Sequence, residues 1–183
     1  CWSYNKDLLS SKLEEKSKYQ YEEYITNYLD SKPSSAYIEI TNKCNLECLY
    51  CYNCFSKKNN KFISIKEFQQ LILQLKRNSI KEVILSGGEP FLHKDIFELI
   101  HMLEENKFDI SIITNATLLT EEIVDKLSNI KANMLINISF DSGDQNGNDT
   151  LRGFGSYKRV VNSLKLMKKY NLNKKVQILC TLV

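Results

Sequence analysis

The chain has 183 residues, 43% hydrophobic and 26% charged, with 25 Lys+Arg against 22 Asp+Glu. That supports one domain with a sizeable core and argues against a disordered chain. The net charge of +3 is too mild to indicate a nucleic-acid partner, and no apolar run approaches the roughly 20 residues of a membrane helix.

In chain order, residues 8–30 are charged and helix-prone, with Leu13, Tyr21, Tyr24, Ile25 and Tyr28 at rough helical spacing. Ser31-Lys-Pro-Ser-Ser35 reads as a linker. The expected division is a helical extension and linker over 1–35 and a core domain over 36–183. Residues 36–41 predict a strand, and 42–63 a cysteine-bearing loop. Ser64-Ile-Lys-Glu67 is a capping box, followed by Phe68, Leu71, Ile72 and Leu75 at i, i+3, i+4 and i+7. That predicts an amphipathic helix ending near Asn78. Strands are expected over 82–86, 109–114, 133–140 and 175–183. Helices are expected around Ile96–Leu103, over 120–130 and over 156–170. The alternation implies a parallel sheet of βαβ units, five strands with four crossover helices. In such folds the active groups follow the C-terminal ends of strands. The chain starts at Cys1 and stops inside an apolar run, Cys180-Thr-Leu-Val183. The expectation is one domain cut from a longer chain.

Of six cysteines, Cys44, Cys48, Cys51 and Cys54 crowd into eleven positions, and no export signal precedes them. Crowding of this kind points to metal binding in a reducing cytoplasmic compartment rather than to disulfides. Three readings compete. A four-Cys zinc site would use Cys54, although structural zinc sites usually separate two ligand pairs by a longer stretch. A ferredoxin-like run starts at Cys48-x₂-Cys51-x₂-Cys54 but breaks, because Lys58 stands where the next Cys belongs. The third is a [4Fe–4S] cluster on Cys44, Cys48 and Cys51 alone, which leaves one iron open to a ligand. Cys180 is expected in the core, His101 on the surface, and His93, at a helix start, as an N-terminal cap or on the surface.

The other strand ends also carry unusual residues. After the second strand come Gly87, Gly88, Glu89 and Pro90. Glycines let backbone approach a ligand closely, and a glutamate can accept a bond from an ammonium; the plain alternative is a tight turn. After the third come Thr114 and Asn115, with turn capping as the alternative. Ser139 and Asp141 end the fourth strand on one face. Arg152 lies in Leu151-Arg-Gly-Phe-Gly-Ser-Tyr157, where a surface loop arginine is the alternative.

These residues together resemble the radical S-adenosylmethionine (SAM) superfamily. Cys44-x₃-Cys48-x-Tyr50-Cys51 is similar to its C-x₃-C-x-φ-C signature, and Gly87-Gly-Glu-Pro90 to its GGEP motif. Thr114-Asn-Ala-Thr-Leu-Leu119 resembles its TNG-x-LL segment, with Ala116 replacing Gly. The resemblance implies an α/β fold, a partial (β/α)₆ TIM-like barrel lacking its sixth strand here. It implies a [4Fe–4S] cluster and SAM as cofactors, with reductive SAM cleavage to a 5′-deoxyadenosyl radical. By the same resemblance Tyr50, Gly87, Gly88, Glu89, Asn115, Ser139, Asp141 and Arg152 contact SAM. Glu89 would take its amino group, Ser139 its ribose and Arg152 its carboxylate. The Arg152 segment looks similar to the SPASM-type subgroup of peptide and sulfatase maturases. That implies a peptide or protein substrate and a one-electron donor of flavodoxin or ferredoxin type. The alternative is a non-catalytic zinc- or iron–sulfur-binding module.

Overall fold

The computed structural model describes residues 33–52 and 60–181. The helix expected over 8–30, together with Cys1 and Cys54, lies outside them. Two compact units divide the chain, Cys1–Pro33 and Ser34–Val183.

In the second unit five strands form one parallel sheet in the order β1-β2-β3-β4-β5. They are β1 Ser35–Thr41, β2 Glu82–Gly87, β3 Asp109–Thr114, β4 Met134–Ser139 and β5 Val176–Leu179. Five α-helices appear among the described residues: α1 Ile65–Arg77, α2 Ile96–Glu105, α3 Glu121–Ser128, α4 Gln145–Arg152 and α5 Ser156–Lys169. Neighbouring strands are consecutive in sequence, and the sheet does not close on itself. This is an α/β wall of TIM-like type.

Alternation along the strands sorts side chains onto two faces. Ile38, Ile40, Val83, Leu85, Ile110, Ile112, Ile136 and Ile138 lie on one face, and all are buried. They join Phe68 and Ile72 of α1, Leu99, Ile100 and Leu103 of α2, Val124 and Leu127 of α3, and Val160 and Met167 of α5 in a single core. The opposite face is more polar. There Tyr37 Oη donates to Ser86 Oγ at 2.8 Å, and Asn137 Nδ2 to Ser111 Oγ at 2.6 Å.

Local signals set the helix starts. Ser64 Oγ accepts from the Glu67 amide at 3.2 Å, and Glu67 Oε2 accepts from the Ser64 amide at 2.8 Å, so the capping box forms as read. Thr120 Oγ1 accepts from the Ile123 amide at 3.3 Å and opens α3.

Several expectations need correction. α4 was not foreseen; Asp144 caps it by accepting from the Gly147 amide at 2.9 Å. β5 is shorter than expected, ending at Leu179. Cys180 is therefore exposed rather than in the core, and its thiol points back to the Asp141 carbonyl at 3.4 Å. His93 is buried at 2% exposure rather than on the surface. Its Nε2 pairs with the Ile63 carbonyl at 2.8 Å, and its Nδ1 accepts from the Asp95 amide at 3.1 Å; Asp95 is the N-cap of α2 and no side chain caps that helix, so the capping reading does not hold either. His101 is exposed, as expected.

Candidate active site at the strand ends

Cys44, Cys48 and Cys51 follow β1 directly, and all three are free thiols. The loop is short and self-braced, with the Cys51 amide donating to the Cys48 carbonyl at 3.1 Å. Burial raises the Cys44 and Cys48 thiols above their usual range, while the nearby Arg152 charge works against this at Cys48. Among the described residues no three His, Cys, Asp or Glu side chains converge as they would on one ion.

Gly87 and Gly88 turn out to admit the chain itself. A Cβ on Gly87, whose φ is +134°, would stand 2.0 Å from the Thr41 carbonyl oxygen. A Cβ on Gly88 would stand 2.2 Å from the Lys43 carbonyl oxygen. The bare backbone instead bonds there, Gly88 N to Thr41 O at 2.7 Å and Glu89 N to Lys43 O at 2.8 Å. The close approach read from the sequence is real, but its partner is the entry to the cysteine loop.

Glu89 is fully buried. Oε1 accepts from Thr114 Oγ1 at 2.7 Å and from the Phe91 amide at 3.1 Å; Oε2 accepts from the Asn115 amide at 2.8 Å. Burial pushes the carboxyl up to about 7 despite these three bonds. No cationic side chain contributes to that balance. A carboxylate offers about four acceptor sites, so roughly one remains on Oε2.

Asn115 both caps a turn and reaches the cysteine loop. Its Oδ1 accepts from the Thr117 amide at 2.9 Å, while its Nδ2 donates to Asn45 Oδ1 at 3.0 Å and lies 3.8 Å from Cys44 Sγ. Ala116 sits at φ +56°, a left-handed position that glycine takes at no steric cost.

Ser139 ends β4 half-buried, and its hydroxyl makes no hydrogen bond among the described residues. Asp141 follows it. Arg152 is 6% exposed, so it is no surface arginine. Its Nε donates to Asp141 Oδ2 at 2.6 Å and its Nη2 to Oδ1 at 3.0 Å. The Tyr50 hydroxyl donates to Asp141 Oδ2, and its ring lies 5.4 Å from the guanidinium carbon. Burial pushes the Asp141 carboxyl up, but the Arg152 pair, the Thr181 amide and the Tyr50 hydroxyl outweigh it and hold it below the usual carboxylate range. Burial, and then the bond to Asp141, raise Tyr50.

The strand ends thus bring together the cysteine loop, Gly87–Glu89, Asn115 and the Tyr50–Asp141–Arg152 cluster. Supporting residues escaped the sequence reading. Asn45 accepts from Asn115 and donates to Thr117 Oγ1 at 2.8 Å. Asn148 is fully buried; its Oδ1 accepts from the Asp141 amide at 3.1 Å and its Nδ2 donates to Ser156 Oγ at 2.9 Å. Asp149 accepts from the Gly155 and Tyr157 amides at 2.9 and 2.8 Å and so caps α5. The Asp144 cap three residues before Gly147 was the one signal that could have flagged this segment.

An open parallel α/β wall with three thiols after its first strand defines a cysteine-bearing α/β core of TIM-like type. The Radical SAM superfamily matches residues 38–183, and the chain belongs to that superfamily. The probable GTP 3′,8-cyclase of Methanocaldococcus jannaschii is 35% identical over 130 residues, 70% of this chain and 43% of that protein. The antilisterial bacteriocin subtilosin biosynthesis protein AlbA of Bacillus subtilis is 28% identical over 141 residues, 76% of this chain and 32% of that protein. The solved structure of Streptococcus suis SuiB bound to precursor peptide SuiA matches with TM-score 0.68 and 26% identity, over 97% of this chain and 40% of that one. The chain spans less than half the length of each. Among the described residues no helix is long and apolar enough to cross a membrane.

Proposed function

We propose that residues 36–183 form the core of a radical SAM enzyme in which Cys44, Cys48 and Cys51 hold a [4Fe–4S] cluster and the neighbouring strand ends bind SAM. The observation that carries this is the placement, at one end of the sheet, of three free thiols, a buried carboxyl with no cationic partner and a buried arginine. The donor set fits the group. Three free thiols at x₃ and x₂ spacing on one loop suit a cluster that gives each thiolate its own iron. When bound, that cluster supplies the electron that cleaves SAM to a 5′-deoxyadenosyl radical.

The chain's own residues would bind and orient. Glu89 offers a buried carboxylate with an open acceptor site and no cationic partner, which an ammonium group satisfies. Arg152 keeps donors beyond those given to Asp141, enough for a second carboxylate. Ser139 offers a free hydroxyl at the mouth, suited to a ribose. The likeness to AlbA and to peptide-bound SuiB supports a peptide substrate. A flavodoxin- or ferredoxin-type protein in the cytoplasm would deliver the electron.

The test is electron paramagnetic resonance of the anaerobically reconstituted full chain, with and without SAM. A reduced-cluster signal that shifts on adding SAM is expected. Zinc without iron would overturn the reading in favour of a structural metal module. Cys48→Ala should abolish iron incorporation, and stoichiometric iron in that variant would remove Cys48 from the ligand set.

A further inference from the structure

The Asp141 side chain is completely covered although it stands at the open end of the sheet. Four segments meet on it. Arg152 reaches it from the end of α4 through two bonds, and the Tyr50 hydroxyl reaches it from the cysteine loop. The Thr181 amide donates to Oδ1 at 2.9 Å from beyond β5, and the Asp141 backbone continues β4. Tyr50 lies between Cys48 and Cys51, so whatever fixes Tyr50 fixes the loop that carries both thiols. A second tie runs beside it, from the Leu49 amide to the Leu151 carbonyl at 2.9 Å.

We infer that Asp141 is a positioning residue, a latch that holds the Cys48–Cys51 segment through Tyr50 and holds Arg152 by one edge before any cofactor binds. The inference rests on the proposed function only for what the latched groups later hold.

The geometry favours this role over direct contact with SAM. The two Asp141 oxygens already accept four bonds, from Arg152 twice, Tyr50 and Thr181, which fills the acceptor capacity of a carboxylate. Asp141 therefore has nothing left to offer a ligand. Arg152 has. A guanidinium carries five N–H donors, and Asp141 takes Nε and one N–H of Nη2. The donors left over lie on the outer edge, which a carboxylate can grip in parallel. Asp141 thus aims that edge rather than competing for it. A simple interior ion pair bracing α4 would need neither the tyrosine nor the Thr181 amide.

The test is amide hydrogen exchange on the full chain without cluster or SAM, comparing Leu49 with Ile136 and Ile138 of β4. Tyr50→Phe removes one hydroxyl and leaves the Asp141–Arg152 pair whole. Asp141→Asn keeps the shape and removes the charge. Both variants should speed exchange at Leu49 by about tenfold, the scale of one lost charge-assisted bond, and leave β4 unchanged. Unchanged exchange at Leu49 in Tyr50→Phe would overturn the latch. So would equal acceleration in β4, which would mean that the cluster of bonds only stabilises the whole fold. If Asp141→Asn does not fold, Tyr50→Phe still decides. Because the readout needs no iron, a chain that failed to assemble a cluster would sink the functional reading and leave this test intact.

Discussion

Gly88→Ala should disturb the metal loop without touching a thiol. A Cβ on Gly88 would lie 2.2 Å from the Lys43 oxygen, 2.4 Å from its carbon and 2.8 Å from the Asn42 oxygen. All three are backbone atoms, so no side chain can swing aside. Ordinary contact begins at 3.4 Å, so the Lys43 carbonyl must retreat by about 3.4 − 2.2 = 1.2 Å. Cys44 is the next residue and must move with it. The shift also breaks or stretches the Gly88–Thr41 and Glu89–Lys43 hydrogen bonds. Overpacking costs about 1–3 kcal/mol, and each weakened bond about 1 kcal/mol more. The expected loss is roughly 3–5 kcal/mol of stability, with iron uptake well below wild type. Urea denaturation of the apo chain and iron analysis after reconstitution measure the two effects. Gly143→Ala is the control, since nothing lies within 4 Å of its Cβ position. A Gly88→Ala chain as stable as Gly143→Ala and fully loaded with iron would refute the claim that these glycines exist for the loop's approach.

Two further outcomes follow from the core and from the buried carboxyl. Phe68 is fully buried between α1 and the sheet, so Phe68→Ala should cost about 3–5 kcal/mol in urea denaturation; a loss under about 1 kcal/mol would mean that α1 is not part of the cooperative core. Glu89 is raised from the ordinary 4.5 to about 7, so the folded apo chain prefers it protonated. Its contribution to stability is fully present below about pH 4.5 and is lost as pH rises through about 7. Carbon-13 NMR of labelled glutamate should show one carboxyl titrating near neutrality, and a Glu89 that titrates with the exposed glutamates would contradict its burial.

Much of the fold could be read because its signals are local. The capping box at Ser64 and Glu67 and the apolar spacing behind it announce α1, and the run Asp109–Thr114 matches β3 at both ends. α4 was not legible because Gln145–Arg152 has no apolar period and contains Gly147, Asn146 and Asn148, all poor helix formers. It forms through polar bonds, Asp144 at its start and Asn148 and Arg152 buried within, and such bonds depend on partners elsewhere in the chain. Cys180 misled for a related reason. An apolar stretch of sequence suggests a core strand, but β5 pairs only with β4 among the described residues, and Cys180 lies past its last paired residue. At the site the residue types could be read and their pairings could not. Tyr50 and Asp141 are 91 positions apart, so no spacing rule connects them.

The pairings share one logic. From the turn after β2, the Gly88 and Glu89 amides grip the Thr41 and Lys43 carbonyls. From the end of β3, Asn115 and Thr117 bond Asn45. From the end of β4, Asp141 takes Tyr50, and from α4 the Leu151 carbonyl takes the Leu49 amide. The loop from Thr41 to Cys51 is therefore tied through five residues, Thr41, Lys43, Asn45, Leu49 and Tyr50, to the segments that follow β2, β3 and β4, while among the described residues its one internal backbone bond runs from the Cys51 amide to the Cys48 carbonyl. A loop with so little structure of its own would sample many conformations and bind metal at an entropic cost. Anchoring it to a rigid sheet removes that cost in advance, since each tie comes from an element already fixed by the apolar core. It follows that thiol placement is a property of the sheet as a whole. A core substitution such as Phe68→Ala, at a fully buried position of the apolar core, should lower iron uptake in proportion to the stability it removes. Cys48→Ala should instead lower iron uptake with stability nearly intact. That divergence separates a preorganised site from one that the metal itself folds.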